Sequence, residues 1–175
     1  MQPLVFLLFV AVINVGVCQP PHCDIGWIFY EHICYSYGEQ AVSWAKAQAI
    51  CETHGATLAE VPSIDVSHYL MNMAWSNWHH CVWLGGNDKE KEGVWVWTSK
   101  SYAFNSFKQW HSIEPTALNP DEDCLSMHYP YNYYWNDGNC FAKCNYICAK
   151  VNYYRHLSLP KKLVETKPQE KIECE

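Results

Sequence analysis

Two stretches of the chain place apolar residues at the intervals of an amphipathic helix. In the first, 39–55, apolar residues recur every three or four positions and the pattern stops at Gly55, a residue suited to a helix C-terminus. The second, 63–76, begins at Ser63, which is suited to cap a helix N-terminus. Its apolar side consists of Val66, Leu70, Met73 and Ala74. The pattern therefore predicts one helix in each stretch.

The other apolar residues occur in short runs that favour strands. The aromatic-rich segment between Cys23 and Cys34 indicates a strand or hairpin. From residue 81 onward the runs are CVWLGG, GVWVWTS, DCLSMHY, YYWND and NYICAK, broken by Gly, Asn and Pro. The segment 98–122, between the runs GVWVWTS and DCLSMHY, is too long for an ordinary connection and is predicted to be functional or flexible. Residues 151–175 are charged and lack apolar periodicity, which is typical of a mobile tail.

The first eighteen residues are typical of a signal peptide. They contain no charged side chain and are continuously apolar from Leu4 to Ile13. A membrane-spanning helix needs about 20 apolar residues, so this run is short for a span. Small residues at Gly16 and Cys18 place the expected cleavage near Cys18. We therefore expect a secreted, extracellular protein with no membrane span.

Cysteine is abundant in the rest of the chain. Nine cysteines remain after residues 1–18, and in an exported protein this density predicts disulfides because the compartment is oxidising. The alternative is a zinc site, but the spacing Cys140-x3-Cys144-x3-Cys148 matches no common zinc module. Spacing alone does not choose among the pairings, since even six cysteines allow about 15 of them.

Acidic residues outnumber basic ones and are clustered. The net charge is −6, and residues 19–150 hold seven basic and fourteen acidic side chains. Nucleic acid and anionic membranes are therefore poor partners, whereas a cation is a good one. The segment 114–124, EPTALNPDEDC, gathers four carboxylates around three turn-forming residues without any Lys or Arg. Clustered oxygens of this kind are the ligands of Ca²⁺, which takes about six to eight of them.

Seven motifs, in order along the chain, resemble the C-type lectin domain over about residues 23–150. They are WAKAQAICETHGATLAE from Trp44, WLGGND at 83–88, EGVWVWTS at 92–99, Glu114-Pro115, EDC at 122–124, WND at 135–137 and YIC at 146–148. The resemblance implies an α+β fold with two helices, two small antiparallel sheets, a long calcium-binding loop and stabilising disulfides. The chain is then expected to comprise a signal peptide (1–18), the lectin domain (23–150) and a charged tail (151–175).

The resemblance also implies a disulfide framework. It pairs Cys23 with Cys34, Cys51 with Cys148, and Cys124 with Cys140. The second bridge would close a loop of about 100 residues, which contributes ~4 to 5 kcal/mol in the chain-entropy model. Two cysteines outside the framework, Cys81 and Cys144, are a candidate fourth pair.

One further cysteine, Cys174, lies in the tail and remains unpaired by that framework. An odd cysteine in a secreted chain suggests an intermolecular bridge, here a covalent homodimer. The alternatives are a small-thiol cap or a pairing with Cys81 or Cys144.

For a principal calcium ion, the resemblance implies ligands from the long loop and from the WND motif. The family uses a Glu-Pro-Asn triplet with a cis proline, a Glu eight residues after its first member, and an Asn-Asp pair. Four of these ligands match Glu114, Glu122, Asn136 and Asp137. Thr116 stands where mannose-type sites have Asn. Because its hydroxyl is shorter and cannot serve both calcium and sugar, we expect calcium binding to be weakened and sugar affinity to fall further.

Sugar binding would follow from the metal. A vicinal diol would replace two waters on calcium, donate hydrogen bonds to Glu114 and Glu122, and accept one from Asn136. Thr116 and Asp137 complete the expected carbohydrate-binding set. Glu114 in the triplet favours mannose-, fucose- or glucosamine-type sugars over galactose.

A second calcium site is also implied by the resemblance. Asp88 and Glu92 match an acid pair that follows the WLG motif, with Glu122 and Asp123 as available partners. Ala117 departs from the pattern because it stands where the family often has an Asp ligand. The alternative is that Asp88 and Glu92 only solvate a turn.

Aromatic residues divide into core residues and candidate binding residues. At strand positions we predict core tryptophans, namely Trp83, Trp95, Trp97 and Trp135. Trp75 and Trp78 are predicted to cover the core at the end of the second helix. Tyr133 and Tyr134 precede the WND motif and are candidates to pack on a sugar face.

Catalysis is not expected. Glu114 and Glu122 could form the carboxylate pair of a glycosidase, but both match calcium ligands, and no HExxH or GxSxG motif occurs. Two binding functions remain. One is a secreted calcium-dependent lectin whose partners are glycans or glycoproteins. The other is a calcium-binding C-type lectin-like module that binds protein, mineral or extracellular matrix, such as shell matrix. This alternative remains because Thr116 replaces the Asn that would contact the sugar.

Overall fold

The computed structural model describes residues 23–78, 80–99, 104, 107–116 and 121–151. They form two α-helices, α1 (Trp44–Thr53) and α2 (Ile64–Asn77), and a 3-10 turn at Tyr129–Tyr131. The strands are β1 (Ile28–Tyr30), β2 (Ile33–Val42), β3 (Thr57–Leu58), β4 (Cys81–Asn87), β5 (Val96–Trp97), β6 (Cys124–His128), β7 (Trp135–Gly138) and β8 (Cys144–Val151). None of the helices in these ranges is long and apolar enough to cross a membrane. The expected signal peptide (1–18), nearly all of the expected tail (151–175) and Cys174 lie outside the described residues.

The strands form one mixed sheet. Its order is β1-β2-β8-β4-β6-β7, with β3 beside β8 and β5 beside β4. The pairs are antiparallel except for β4 and β8, which run parallel and match Val82 with Asn145 and Trp83 with Tyr146. This parallel pair joins two antiparallel groups that were expected to be separate sheets. The α+β class with two helices is confirmed.

The first helix begins later than the apolar spacing predicts. Residues 39–42 continue β2 against β8. Asn145 Nδ2 donates to the backbone carbonyls of Gly38 and Glu39 at 3.1 and 2.6 Å, which fixes this stretch to the sheet. The chain is still extended at Ser43, and α1 starts after it. The prediction of helix over 39–43 is wrong because strand pairing outweighs the local helical pattern.

The second helix lies where the pattern predicts it. α2 starts after Ser63, whose hydroxyl accepts a hydrogen bond from the Val66 N–H at 3.2 Å. This bond satisfies one of the backbone donors that every helix N-terminus leaves without a partner in the helix. The buried side of α2 consists of Val66, Ser67, Leu70 and Ala74.

The two tryptophans at the end of α2 have different roles. Trp75 packs against the core, where the rings of Tyr129 and Tyr133 meet it edge-on at centroid distances of 5.3 and 5.1 Å. Trp78 has a left-handed backbone (φ 52°) and is 74 % exposed. Its ring still meets the Trp75 ring edge-on at a centroid distance of 6.1 Å, so the two tryptophans lie together at the end of α2 as predicted, but only Trp75 packs against the core.

Indole hydrogen bonds fix α1 and the strands relative to one another. Trp44 Nε1 donates to the carbonyl of Leu84 at 2.8 Å, which attaches α1 to β4. Trp83 Nε1 donates to the carbonyl of Val42 at 2.9 Å, which attaches β4 to the end of β2. Of the predicted core tryptophans, three are buried and one packs against the core: Trp83, Trp97 and Trp135, and then Trp95.

Four disulfides connect these elements. They are Cys23–Cys34, Cys51–Cys148, Cys124–Cys140 and Cys81–Cys144. The first three are the pairs that the resemblance implies, and the last is the candidate fourth pair. Cys51–Cys148 ties α1 to β8 across a sequence separation of 97 residues. Cys124–Cys140 fixes the start of β6 to the segment after β7, next to the long loop.

The long loop, 98–122, leaves the sheet after β5, and hydrogen bonds close its base. Gly85 N–H donates to the Ala59 carbonyl at 2.8 Å, and Thr98 N–H donates to the Gly85 carbonyl at 2.9 Å. A Cβ at position 85 would lie 2.7 Å from a backbone oxygen of β3, so this approach requires glycine. Glu60 accepts a hydrogen bond from the Ser99 N–H at 2.8 Å. The start of the loop is therefore held in place.

Candidate functional site

A cleft with a volume of about 490 Å³ lies over β4, β6 and β7. The register pairs Trp83 of β4 with Ser126 of β6, and Ser126 with Asn136 of β7, so these positions form one row across the sheet. The long loop and the segment after β7 provide the walls. The lining residues are His80, Cys81, Trp83, Glu114, Thr116, Glu122, His128, Tyr131, Asn136, Asp137, Gly138, Asn139, Ala142 and Cys144.

The five residues predicted to bind the principal calcium and the sugar all line this cleft. They are Glu114, Thr116, Glu122, Asn136 and Asp137, which we call the acidic end. The strand β7 supplies two of them and the long loop supplies three. The Glu114–Pro115 peptide bond is cis. Residues more than 20 positions apart in the sequence are thus brought to one place.

A carboxyl pair, buried Asp137 with half-buried Glu114, lies at the centre of the acidic end. Asp137 is 4 % exposed, and its Oδ2 accepts a hydrogen bond from the Thr116 N–H at 2.8 Å. Its Oδ1 is buried and has no donor among the described residues. Burial, and then hydrogen bonding and charge repulsion from Glu114, raise the pKa of Asp137 to about 7. Two carboxylates can share a hydrogen bond only through a proton, so this pair needs either a proton or a cation.

The other oxygens around this pair fit a hard cation. Asn136 is buried, and its Nδ2 donates to the backbone carbonyl of Asp137, which leaves the amide oxygen as the atom for a ligand. Glu122 lines the same cleft. Among the described residues, none that lines the cleft is a Lys or Arg that could neutralise the carboxylates. Carboxylate and amide oxygens without a basic partner are the donor set of Ca²⁺.

A second acidic group lies in the turn between β4 and β5. Asp88 is 2 % exposed, and its Oδ2 accepts a hydrogen bond from the Gly93 N–H at 2.8 Å. Its Oδ1 is buried without a donor among the described residues. Burial raises the pKa of Asp88, and the charges of Glu92 and Asp123 raise it further. Asp88 N–H donates to the Asp123 carbonyl at 3.2 Å, so the backbones of these two residues are adjacent.

The predicted members of the second site are only partly brought together. Glu122 lines the first cleft, whereas Asp123 lines a separate hollow with Lys89 and Asp121. Lys89 Nζ lies over the Trp44 ring, 4.4 Å from its centroid. Ala117 lies outside the described residues. Asp88, Glu92 and Asp123 are thus near enough for the charges of the last two to raise the pKa of Asp88, and Lys89 lies beside Asp123.

The opposite end of the cleft was not anticipated from the sequence. His80, His128 and Tyr131 line it, and we call them the histidine end. The His128 ring meets the His80 ring edge-on at 5.6 Å and lies tilted over Tyr131 at 5.9 Å. Burial, with a contribution from His80, lowers the pKa of His128 to about 4. No motif marks these residues, because only the pairing of β4 with β6 brings them together.

Tyr133 does not reach the cleft as predicted. Asn132 and Tyr133 both have positive φ (52° and 59°), and the resulting turn directs Tyr133 inward. Its ring is fully buried and its hydroxyl donates to the Ala74 carbonyl at 3.3 Å. Tyr134 is 40 % exposed but is not among the residues that line the cleft. The proposed role of Tyr133 on a sugar face is therefore wrong.

Two lectins from other animals resemble this chain in sequence. The chicken (Gallus gallus) hepatic lectin is 31% identical over 71% of this chain and 58% of its own length. The galactose-specific lectin nattectin of Thalassophryne nattereri is 28% identical over 83% of this chain and 94% of its own length.

Solved structures show the same fold. A calcium-independent type II antifreeze protein superposes with a TM-score of 0.69 at 26% identity, covering 78% of this chain and 99% of its own. The C-type carbohydrate-recognition domain of cow CD23, solved in the presence of a GlcNAc2Man3 oligosaccharide, gives a TM-score of 0.69 at 26% identity and covers 77% and 100%. The family model described as the lectin C-type domain matches residues 40–150. Since that match takes in most of the chain, the protein belongs to the C-type lectin domain family.

Proposed function

We propose that this chain is a secreted, calcium-dependent carbohydrate-binding lectin without enzymatic activity. The observation that carries the proposal is the carboxyl pair of Glu114 and buried Asp137, in which Asp137 Oδ1 has no donor among the described residues. A buried polar atom without a hydrogen-bond partner destabilises the fold, and a bound cation would satisfy a carboxylate oxygen in this position. Calcium would replace the shared proton and satisfy the oxygens of both side chains.

The principal calcium would be held by the acidic end, with the same side chains contacting the sugar. Glu114 and Glu122 would accept hydrogen bonds from two neighbouring hydroxyls, and Asn136 would donate one. The backbone N–H of Thr116 already donates to Asp137, which leaves its hydroxyl and its backbone carbonyl oxygen for a ligand. Calcium polarises the hydroxyls that it binds, and the protein side chains orient them.

The class of sugar depends on Glu114 and Thr116. Glu114 at the start of the triplet favours a mannose-, fucose- or glucosamine-type sugar. The relative nattectin is named as a galactose-specific lectin, so galactose is the competitor that a test must include. The oligosaccharide present with the CD23 domain contains mannose and N-acetylglucosamine, which is consistent with the first class.

The second acidic group is proposed to bind a further calcium ion through Asp88, Glu92 and Asp123. The buried, donor-free Oδ1 of Asp88 supports it, as does the raised pKa of that carboxyl. Glu122 is assigned to the principal ion, because it lines the first cleft. Replacing Asp88 with Asn should then remove one calcium ion per chain and leave the principal one in place, as counted by equilibrium dialysis.

Export and assembly are proposed on the sequence pattern. Residues 1–18 are proposed to be a signal peptide, 23–150 the lectin domain and 151–175 a tail. Cys174 would join two chains in a covalent homodimer. Non-reducing electrophoresis of the secreted protein should show a dimer that Cys174→Ser removes, whereas a monomer in both would contradict this assignment.

Retention on sugar resins tests the function directly. The protein should bind immobilised mannose in calcium and elute with a chelator, with weaker retention on galactose. Asp137→Asn should abolish retention, because it removes a carboxylate from the centre of the acidic end. The matched control is Asp65→Asn, which makes the same change in the first turn of α2, away from the cleft.

A calcium-binding module that binds protein, mineral or extracellular matrix is the second candidate. Thr116 favours it because it removes the amide that would contact both calcium and sugar. The similarity to a calcium-independent antifreeze protein shows that this fold also occurs in a protein described without calcium dependence. Calcium binding by calorimetry without retention on any sugar resin would support this second function and contradict the first.

A further inference from the structure

We propose that the histidine end of the cleft is a second sugar subsite, which binds the next residue of a neutral oligosaccharide whose terminal residue occupies the acidic end. This inference rests on the proposed lectin function. It concerns His80, His128 and Tyr131, none of which is needed to hold calcium. These residues line the same cleft as the five predicted ligands, so a ligand that extends from one end must meet the other.

The distance between the two ends suits a linear ligand. Ser126 lies opposite Asn136, and His128 is two residues further along the same strand. Diagonal neighbours of this kind on adjacent strands are about 7 to 8 Å apart. That spacing is comparable with the length of one hexose unit. A sugar bound at Asn136 would therefore place its neighbour over His128.

The chemistry of the histidine end suits a neutral sugar. It contains two imidazoles and a phenol, and within the described part of the chain no other acidic or basic residue lines this end. Imidazole and phenol groups can both donate and accept hydrogen bonds, which matches sugar hydroxyls. Their ring faces can also pack on the apolar C–H faces of a pyranose. The lowered pKa keeps His128 uncharged at neutral pH, so it offers no fixed charge to an acidic sugar.

The histidine end is also held in position before any ligand arrives. The His111 ring stacks on Tyr131 with centroids 4.1 Å apart and planes 12° from parallel. The His80 carbonyl accepts a hydrogen bond from the Tyr129 N–H at 2.9 Å, which fixes the backbone before β4 to the end of β6. The Cys81–Cys144 disulfide lies next to these side chains in the lining. Side chains ordered in advance lose less entropy on binding.

The volume of the cleft is consistent with a ligand larger than one monosaccharide. Pockets that enclose small ligands usually measure about 300 to 1,000 Å³, and this one measures about 490 Å³. The acidic end contributes five of the fourteen lining residues, and the histidine end contributes three more. A monosaccharide held on calcium would leave the histidine end exposed to solvent.

The test compares a methyl mannoside with a linear mannotriose, at saturating calcium, by isothermal titration. We expect the wild-type protein to bind the trisaccharide about 5- to 10-fold more tightly than the monosaccharide, as one added aromatic contact allows. Tyr131→Ala should remove that gain and leave monosaccharide affinity within about 2-fold, which is less than 1 kcal/mol. If galactose is the sugar retained on the resin, a methyl galactoside and the corresponding linear galactotriose replace the two mannosides.

Matched variants separate a subsite from a folding defect. His80→Ala is the second variant, because His80 is exposed and its removal leaves the core intact. Tyr134→Ala is the control, since Tyr134 is exposed on the same hairpin but does not line the cleft. Thermal unfolding of each variant checks the fold. The control should keep the full gain for the trisaccharide.

The outcomes distinguish the subsite from the lectin function. If the wild-type protein binds the monosaccharide in calcium but gains nothing from the trisaccharide, the subsite is refuted and the lectin function stands. Equal losses for both ligands in Tyr131→Ala and His80→Ala would also refute it, because they would show a general disturbance of the cleft. If neither sugar binds in calcium, the proposed lectin function fails and the subsite fails with it.

Discussion

Thr116 combines two roles that can be separated by substitution. Its backbone N–H holds Asp137 Oδ2 at 2.8 Å, and its side chain faces the cleft where an amide would offer both an acceptor and a donor. Thr116→Asn keeps the backbone bond and adds the amide. One added hydrogen bond contributes about 0.5 to 1.5 kcal/mol, so affinity for methyl mannoside should rise about 3- to 10-fold.

The control for this gain is Thr116→Val, which has nearly the same shape but lacks the hydroxyl. It should bind sugar no better than the wild-type protein in the same titration. If Thr116→Asn leaves sugar affinity unchanged, Thr116 is not the residue that limits binding at the acidic end.

Asp137 makes the stability of the calcium-free protein depend on pH. The pKa of Asp137 rises from 3.8 to about 7 on folding, so the folded state retains a proton that the unfolded chain has lost. Stability from this group is fully present below pH 4 and is lost as the pH rises to about 7. In chelator, the wild-type protein should lose more thermal stability than Asp137→Asn between pH 5 and pH 8. Parallel curves for the two proteins would contradict the shared proton.

At the level of residues, the resemblance to a family motif singled out the residues of the acidic end, whereas nothing in the sequence pointed to the histidine end. Glu114, Glu122 and Asp137 follow a motif with fixed intervals, so each could be assigned by position. His128 and His80 become neighbours only through the register that sets Cys81 opposite His128. The inward direction of Tyr133 depends on two consecutive positive φ angles, which its aromatic character does not reveal.

At the level of elements, local pattern predicted α2 well and the start of α1 badly. α2 has both a cap and a helical apolar side, and the two signals agree. Residues 39–42 carry helical spacing but are held in β2 by Asn145, more than 100 residues away. The parallel pairing of β4 with β8 is equally non-local. Contacts of this kind cannot be inferred from spacing within one segment.

The Cys81–Cys144 bridge should stabilise the fold more than the bridge near the N-terminus. It closes a separation of 63 residues, whereas Cys23–Cys34 closes 11. In the chain-entropy model this difference amounts to about 1.5 kcal/mol. Urea unfolding of the double variant Cys81→Ala/Cys144→Ala should therefore show the larger loss in unfolding free energy. The double variant Cys23→Ala/Cys34→Ala is the matched control, and an equal or larger loss there would contradict the expectation.

Calcium should stabilise the whole molecule, because the acidic end joins the long loop to β7. A ligand that binds only the folded state at 100 times its Kd adds about 2.7 kcal/mol of stability. Extracellular calcium modules have a Kd of about 0.1 to 1 mM, so tens of millimolar calcium should raise the Tm measurably. Calcium should also slow proteolytic cleavage within 98–122. Equal cleavage rates in calcium and in chelator would show that the ion does not hold the loop.

Exchange of a buried proton for calcium is the central claim, and calorimetric titration of calcium tests it most directly. Calcium is titrated into the calcium-free protein at pH 8 and pH 5.5, in pairs of buffers that differ in ionisation enthalpy. Because the pKa of Asp137 is about 7, we expect tighter binding at pH 8 and proton release at pH 5.5. Asp137→Asn should weaken the principal site at least tenfold, about 1.4 kcal/mol, and remove the pH dependence. Absence of calcium binding at pH 8, or binding that Asp137→Asn leaves unchanged, would contradict the claim.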